Sequence, residues 1–311
     1  MNQKVLVTDH CHKVLRDGLG QLGYDVIFEP DFNPVNLAEA VVDLTGIVIN
    51  SKIKMTAEII DQAKNLKFIG RLGSGLEIID LDYARTKGIK VFNSPEGNRN
   101  AVAEHVMGML LCLCNNLLRS DKEVRHKIWK REANRGMELS GKTIGIIGLG
   151  NTGSSLARKL SGWALDVIYY DPYVLNTPEE LNYISKVGLE TICERADIIS
   201  LHVPLTEETR WMVDEEFLSK CKESLILINT SRGNVVKTSD LVKHLESGRI
   251  KGACLDVFEN EKPHQFTSEE DQLYSKIYAM DNVVLSPHIA GWTHESLFKI
   301  GDVLLSKIST V

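Results

Sequence analysis

The chain lacks paired cysteines, long apolar runs and any excess of basic charge. Its six cysteines, Cys11, Cys112, Cys114, Cys193, Cys221 and Cys254, show no Cys-x-x-Cys spacing. Scattered thiols in 311 residues exclude a disulfide scaffold and predict reduced, mostly buried cysteines in a cytoplasmic protein. The longest apolar helix candidate, Ala101 to Leu118, is interrupted by Glu104, His105 and Asn115, so no transmembrane helix is expected. The N-terminus, MNQKVLVTDH, goes straight into a strand pattern, with no basic segment and apolar core of a secretory signal. The net charge of −6 argues against nucleic acid or an anionic membrane as main partner. A small anionic substrate remains open, because a few local arginines suffice to hold one. His10-Cys11-His12 has no second ligand cluster to complete it, so it reads as a turn and no metal site is expected. The remaining composition, 43% hydrophobic and 25% charged, is that of an ordinary globular protein, and the length predicts two domains.

What is present is a repeated strand–helix grammar. KVLVT (4–8), YDVIF (24–28), GIVIN (46–50), LKFIG (66–70) and IKVFN (89–93) are short, β-branched and nearly continuously apolar. Their spacing leaves room for a crossover helix each time, which predicts a parallel sheet covered on both faces. Thr56 is a plausible N-cap for one of these helices. A second series follows Gly141: KTIGIIG (142–148), LDVIYYD (165–171), ADIISLHV (196–203), SLILINTS (224–231), GACLDV (252–257) and NVVLSPH (282–288). Two such series predict two doubly wound parallel sheets. Between them, a long helix pair is expected from about Arg99, preceded by a Pro/Gly turn in NSPEGN that would serve as a hinge. The last segment carries Leu297, Ile300, Val303 and Leu304 at helical spacing, so a helix there must bury that stripe, and could do so on the first domain.

The second series opens with Gly148-Leu-Gly150-Asn-Thr-Gly153 between a strand and a helix pattern. Each glycine has a physical task. Gly148 allows the tight turn, Gly150 lets backbone approach a pyrophosphate, and Gly153 lets the helix pack close to the strand. The helix N-terminus favours the phosphate charge. Asp171 ends the next strand at the offset expected of a ribose-binding acid. It would accept from both ribose hydroxyls and repel a 2′-phosphate, so NAD is expected over NADP.

Three further strand ends carry unusual side chains: Arg232 in INTSRGNVV, Glu261 in CLDVFENEKP and His288 in NVVLSPHIAGW. In an open parallel sheet all three leave from the carboxyl edge, where ligands bind. The set GLGNTG, YYDP, HVPLT, INTSRG, LDVFENE and SPHIAG, in that order, resembles the D-isomer-specific 2-hydroxyacid dehydrogenases. GRLGSGLEIIDLDYARTKGIKVFNSPEGN also resembles that family's first domain, so the likeness covers nearly the whole chain. It implies a Rossmann NAD-binding domain over 99–291 and a flavodoxin-like substrate domain over 1–98 plus 292–311. It also implies a catalytic set in which Arg232 holds the substrate carboxylate and polarises the C2 carbonyl. His288 would exchange a proton with the C2 oxygen, and Glu261 would pair with His288 and orient it. Those roles are chemically apt: guanidinium matches carboxylate bidentately, and imidazole gives and takes protons near neutrality. A neighbouring carboxylate favours imidazolium. Keto-acid reduction should therefore weaken as pH rises, and hydroxy-acid oxidation should strengthen.

From the same resemblance, Asp256 would contact the nicotinamide carboxamide. Ser74, Asn151, Thr152, Val203, Thr230, Ser231, Ala290 and Gly291 would adjoin the dinucleotide. Ser74 and Gly75 would offer backbone N–H groups to the substrate carboxylate, as turn nests do. The family pattern has proline directly after the glutamate, whereas Lys262 here precedes Pro263. Within the family the first-domain segment is most similar to 3-phosphoglycerate dehydrogenases, whose basic residues fall at Arg71 and Arg131. Phosphoglycerate in serine biosynthesis is therefore the first expectation, with hydroxypyruvate, glyoxylate or D-lactate-type substrates open. The chain ends at Val311, so an appended regulatory domain is not expected. Some relatives are NAD-sensing corepressors that bind peptides, and an intact Arg–Glu–His set favours an enzyme without excluding them. The resemblance further implies a homodimer built through 99–135, against which stands helix packing within one chain.

Overall fold

The computed structural model describes residues 3–311. Among the described residues, twelve strands form two sheets, and every pairing in both is parallel. The first sheet contains β1 (Lys4–Val7), β2 (Asp25–Phe28), β3 (Leu44–Ile49), β4 (Phe68–Arg71) and β5 (Lys90–Asn93). Its order, β2-β1-β3-β4-β5, is the flavodoxin-like one. The central β3, LTGIVI, is buried at every position, as its unbroken apolar run requires.

The second sheet contains β6 (Thr143–Ile147), β7 (Asp166–Tyr170), β8 (Ser185–Lys186), β9 (Ile198–Leu201), β10 (Leu225–Asn229), β11 (Ile250–Leu255) and β12 (Val283–Leu285). The order β12-β11-β10-β9-β6-β7-β8 reverses direction between β9 and β6, the Rossmann switch point. Two apolar layers, one containing Ile199, Leu201 and Leu227 and the other Ile144, Ile146 and Ile228, bury its two faces. The sequence pattern misses β8, an exposed two-residue edge strand without an apolar run.

The chain divides into two compact units, one of residues up to Asn100 together with Trp292–Val311, the other Ala101–Gly291. The expected turn in NSPEGN is not a turn. The helix Pro95–Cys114 already begins there, because proline's fixed φ suits the first helical position, and Leu117–Arg125 follows it. No single helix among the described residues is long and apolar enough to cross a membrane, and this pair is bent by 61°.

The last helix, His294–Ile308, is opened by a capping box in which Thr293 and Ser296 bond reciprocally. It packs in the first unit against Lys13–Gln21, β4 and β5. Its buried face is Ser296, Gly301, Leu304 and Ile308, with Ile300 beside them. Leu297, expected on that stripe, is 39% exposed, so the face is rotated from the one that the leucines alone suggest. Gly97 and Gly18 let the helix approach closely, since a Cβ on Gly97 would lie 2.6 Å from the Ile300 nitrogen and one on Gly18 would overlap Leu305. His12 caps Lys13–Gln21, its Nδ1 accepting from the Val14 N–H at 3.2 Å, in keeping with a turn at His10-Cys11-His12. Thr56 stands at the N-cap of Ala57–Gln62 without a side-chain capping bond. All six cysteines are free, four of them buried.

Candidate active site

The glycine turn leaves β6 at the switch point. Gly148 has φ +92°, and a Cβ there would lie 2.5 Å from the His202 carbonyl at the end of β9. A Cβ on Gly153 would overlap the Gly148 carbonyl, so helix Asn151–Leu160 can approach the strand only with glycine there. Gly150, by contrast, has nothing within 4 Å of where a Cβ would point. Open space at Gly150 between two tight glycines fits a pyrophosphate at the helix N-terminus. At the end of β10 the Thr230 hydroxyl oxygen is buried and has no partner among the described residues, as expected of a group that awaits a ligand.

Asp171 does more than its expected ribose role. Its Oδ2 accepts from the Leu149 N–H at 2.8 Å, and its Oδ1 from Tyr173 at 2.8 Å and Val174 at 3.2 Å. The buried carboxylate thus ties the glycine turn to the loop after β7. Oδ1 is saturated by two donors, which leaves Oδ2 as the acceptor for a ribose hydroxyl.

His202 supports the same turn. One ring nitrogen lies 2.8 Å from the Ser200 hydroxyl and the other 3.2 Å from the Thr152 hydroxyl. Burial pushes its pKa down from 6.5 to about 4, so it is neutral at physiological pH. The unfolded chain takes up this proton as pH falls through 6.5 and the folded chain does so only near 4. His202 therefore favours the folded state above 6.5 and loses that contribution, about 3 kcal/mol, as pH falls to 4. In urea unfolding, the stability deficit of His202→Gln should be largest at pH 7 and shrink towards pH 4. A deficit independent of pH would contradict this.

Arg232 follows β10 on a loop built by Asn229. That buried amide accepts from the Ser231 N–H at 3.0 Å and hydroxyl at 2.7 Å, and donates to the Arg232 carbonyl at 2.9 Å. The Arg232 guanidinium donates to the Ser231 carbonyl at 2.7 Å. Gly233 then runs against the loop after β11, where a Cβ would overlap the Phe258 carbonyl.

That second loop carries two glutamates with separate tasks. Glu259 accepts from the Trp211 indole and the Thr238 N–H, both at 2.7 Å. Glu261 accepts from His288 Nδ1–H at 2.8 Å. Burial pushes the Glu261 carboxyl up, but the His288 hydrogen bond and charge, the Phe258 N–H and the Arg232 charge together hold it below the ordinary glutamate value. Both partners are nearly half exposed, at 49% for His288 and 40% for Glu261. Such a pair contributes at most about 1 kcal/mol to stability. Its chemical value is to fix the ring with Nε2 outward. Lys262 does not disorder the loop, since its N–H donates to Asn260 Oδ1 at 3.0 Å and Pro263 opens a 3₁₀ turn directly after it.

His288 itself has φ +57°, in the left-handed region. Asp256, buried at the end of β11, holds it there. The Asp256 carbonyl accepts from the His288 N–H at 2.7 Å. Its carboxylate accepts from the Ser286 hydroxyl at 2.5 Å, the Ile289 N–H at 2.9 Å and the Ala290 N–H at 2.8 Å. The Ala290 N–H is therefore used inside the protein.

In the first unit, the loop after β4 is pinned from β5. Asn93 donates to the Ser74 carbonyl at 2.7 Å, and the Ser94 hydroxyl accepts from the Gly73 N–H at 3.1 Å. No described residue accepts from the Ser74 or Gly75 N–H. The Arg71 guanidinium folds back onto the Leu72 carbonyl of its own loop.

Arg232, Glu261 and His288 thus leave adjacent strands β10, β11 and β12 at one edge, with Glu261 and His288 in contact. Sequence reasoning missed Asn229, Gly233, His202 and Ser286. Their signal was position alone, since each lies within two residues of a motif side chain.

Residues 107–290 match the family model for the D-isomer specific 2-hydroxyacid dehydrogenase NAD binding domain. A hydroxypyruvate reductase from Thermotoga maritima is 38% identical over 272 residues, covering 88% of this chain and 86% of that protein. A D-3-phosphoglycerate dehydrogenase from Archaeoglobus fulgidus is 34% identical over 305 residues and covers 98% of this chain. This chain spans 56% of that relative, about half its length. The crystal structure of D-lactate dehydrogenase from Aquifex aeolicus, complexed with NAD and lactic acid, superposes with a TM-score of 0.84 at 28% identity, over 98% of this chain and 94% of that one. The glycine cradle, the strand-edge Arg, Glu and His, and these likenesses agree: the chain belongs to the D-isomer specific 2-hydroxyacid dehydrogenase family, with an NAD-binding domain.

Proposed function

We propose that this chain is an NAD-dependent oxidoreductase acting at C2 of a short D-2-hydroxy acid or its 2-keto acid, of the hydroxypyruvate type. The observation that carries this reading is the 2.8 Å contact of His288 Nδ1 with Glu261. Bound NAD supplies or takes the hydride at C2. Arg232 takes the substrate carboxylate and polarises the carbonyl, and His288 Nε2 gives its proton to the C2 oxygen in the reducing direction. Glu261, whose carboxyl is held below the ordinary glutamate value, stays an acceptor for Nδ1–H and keeps the ring oriented. Gly148, Gly150, Asn151, Thr152, Gly153 and Asp171 hold the dinucleotide, with Val203, Thr230, Ser231, Asp256, Ala290 and Gly291 beside it. Arg71, Ser74 and Gly75 are the first unit's contribution to substrate binding.

A second reading, oxidation of 3-phosphoglycerate in serine biosynthesis, is favoured by the likeness to phosphoglycerate dehydrogenases over nearly the whole chain. It needs a cation for the phosphate, for which Arg71 and Arg131 are the candidates, whereas the 38% identity to a hydroxypyruvate reductase over most of both chains supports the unphosphorylated substrate. We also place the enzyme in the cytoplasm as a homodimer through 99–135, where Leu117, Leu118, Val124, Ile128 and Trp129 are exposed.

The test is NADH oxidation with a panel of 2-keto acids including hydroxypyruvate and 3-phosphohydroxypyruvate. Hydroxypyruvate should give the higher kcat/KM, and NADPH should be the poorer cofactor because Asp171 stands at the ribose position. No turnover with any keto acid would sink the enzyme reading in favour of an NAD-sensing binding protein.

A further inference from the structure

Behind the catalytic turn, Asp256 is backed by two side chains, Ser286 and His105, to which the proposed mechanism gives no role. His105, on the helix Pro95–Cys114, places Nε2 2.9 Å from the Ser286 hydroxyl and 3.6 Å from Asp256 Oδ1. Ser286 has one proton, and it lies in the 2.5 Å bond to Asp256. Its oxygen must then accept from His105, which fixes the His105 tautomer with the proton on Nε2. Asp256 in turn binds the N–H groups of Ile289 and Ala290 through its carboxylate and that of His288 through its carbonyl. One end of this hydrogen-bonded set is thus a helix and the other is the turn that holds His288 at φ +57°.

We propose that His105 is a positioning residue for His288, acting through Ser286 and Asp256; the proposal rests on the role given to His288 above. The physical reason is lone-pair accounting. Asp256 is buried, so its carboxylate oxygens depend on the donors they receive. Ser286 can serve as one of those donors in only one rotamer, and the His105 N–H selects it by requiring the oxygen as acceptor. Without His105 the hydroxyl is free to turn. Asp256 then loses a donor, and the turn around it loosens. A left-handed non-glycine residue persists only where its surroundings over-determine it, so the effect falls on His288.

The test compares His105→Leu, which removes the donor, with His105→Gln, whose amide can still donate to Ser286. His105→Leu should lower kcat for keto-acid reduction about 10-fold or more, since small misplacements of a reacting group are costly. Its KM for the keto acid should stay within about 3-fold, and His105→Gln should recover most of kcat. Full kcat in His105→Leu, or equal impairment in His105→Gln, would overturn the proposal. A second readout needs no turnover. The His288 ring signals in histidine NMR of the protein without cofactor, assigned by their loss in His288→Asn, should shift in His105→Leu and return in His105→Gln. No shift would overturn the positioning role even in an active enzyme. Absence of turnover in the unmodified protein would instead count against the proposed function, with the NMR comparison still deciding the positioning role.

Discussion

Replacing His288 by asparagine should lower kcat for keto-acid reduction by about 10²–10⁴-fold, the usual range for loss of a general acid. Asparagine is the informative choice because it tolerates the left-handed region better than most residues, and His288 has φ +57°. Backbone strain is thus held nearly constant while the transferable proton is removed. NADH affinity should change little, because the glycine turn leaves β6, on the opposite side of the switch point. Glu261→Gln should cost less than the loss of His288, since it removes the orienting partner and spares the acid. The sign on the acid side follows from Glu261. Its carboxyl is held below the ordinary glutamate value of 4.5, so the pair persists at neutral pH and is lost only as pH falls through that lowered value. Steady-state rates from pH 5 to 9 for the three proteins decide the matter. Near-full turnover in His288→Asn would refute the assignment of His288 as the proton donor.

The parts legible in the sequence were those governed by local rules. Strands β3 and β6 announce themselves as short runs rich in isoleucine, valine and threonine, and both glycine-motif clashes follow from where a Cβ must point. His288 and Glu261 were legible as strand-end residues, since the parallel sheet brings successive carboxyl ends to one edge. What the sequence hid was relational. Asp171 and Asp256 looked like ligand contacts, yet each first satisfies several backbone donors of its own loops. Asn229 resembled any strand-end polar residue until its amide proved to span Ser231 and Arg232. NSPEGN looked like a hinge because proline and glycine stand close together, but proline at a first helical position begins a helix. The close seat of the last helix depended on Gly97 and Gly18, whose small size is informative only once their neighbours are known.

Gly233 shows how much such a relation can weigh. It has an ordinary place in the motif, directly after Arg232, and opens a single 3₁₀ turn. No unusual φ requires glycine there, and the demand is spatial: the site of a Cβ is occupied by the Phe258 carbonyl, with the Glu259 nitrogen 2.6 Å away. Both neighbours are backbone, so no side chain can rotate to make room. Gly233→Ala must therefore separate the loop carrying Arg232 from the loop carrying Glu261. The cost in stability should be about 1–3 kcal/mol, the usual range for overpacking. The cost in activity should be larger, about 10²-fold in kcat/KM, because a displacement of roughly 1 Å in a reacting group has that effect. The damage should also be divided in a way that a general loss of fold would not produce. With Arg232 in its proposed role on the carboxylate, KM for the keto acid should rise, while NADH affinity, for which the separate Gly148–Gly153 turn is proposed, should hold. Measured together, a melting temperature lowered by a few degrees, intact NADH binding and a strongly reduced kcat/KM would establish that the two loops must touch for the site to work. An alanine variant with unchanged kcat/KM would show that the loops can separate without harm, and that the close approach at Gly233 is a matter of packing alone.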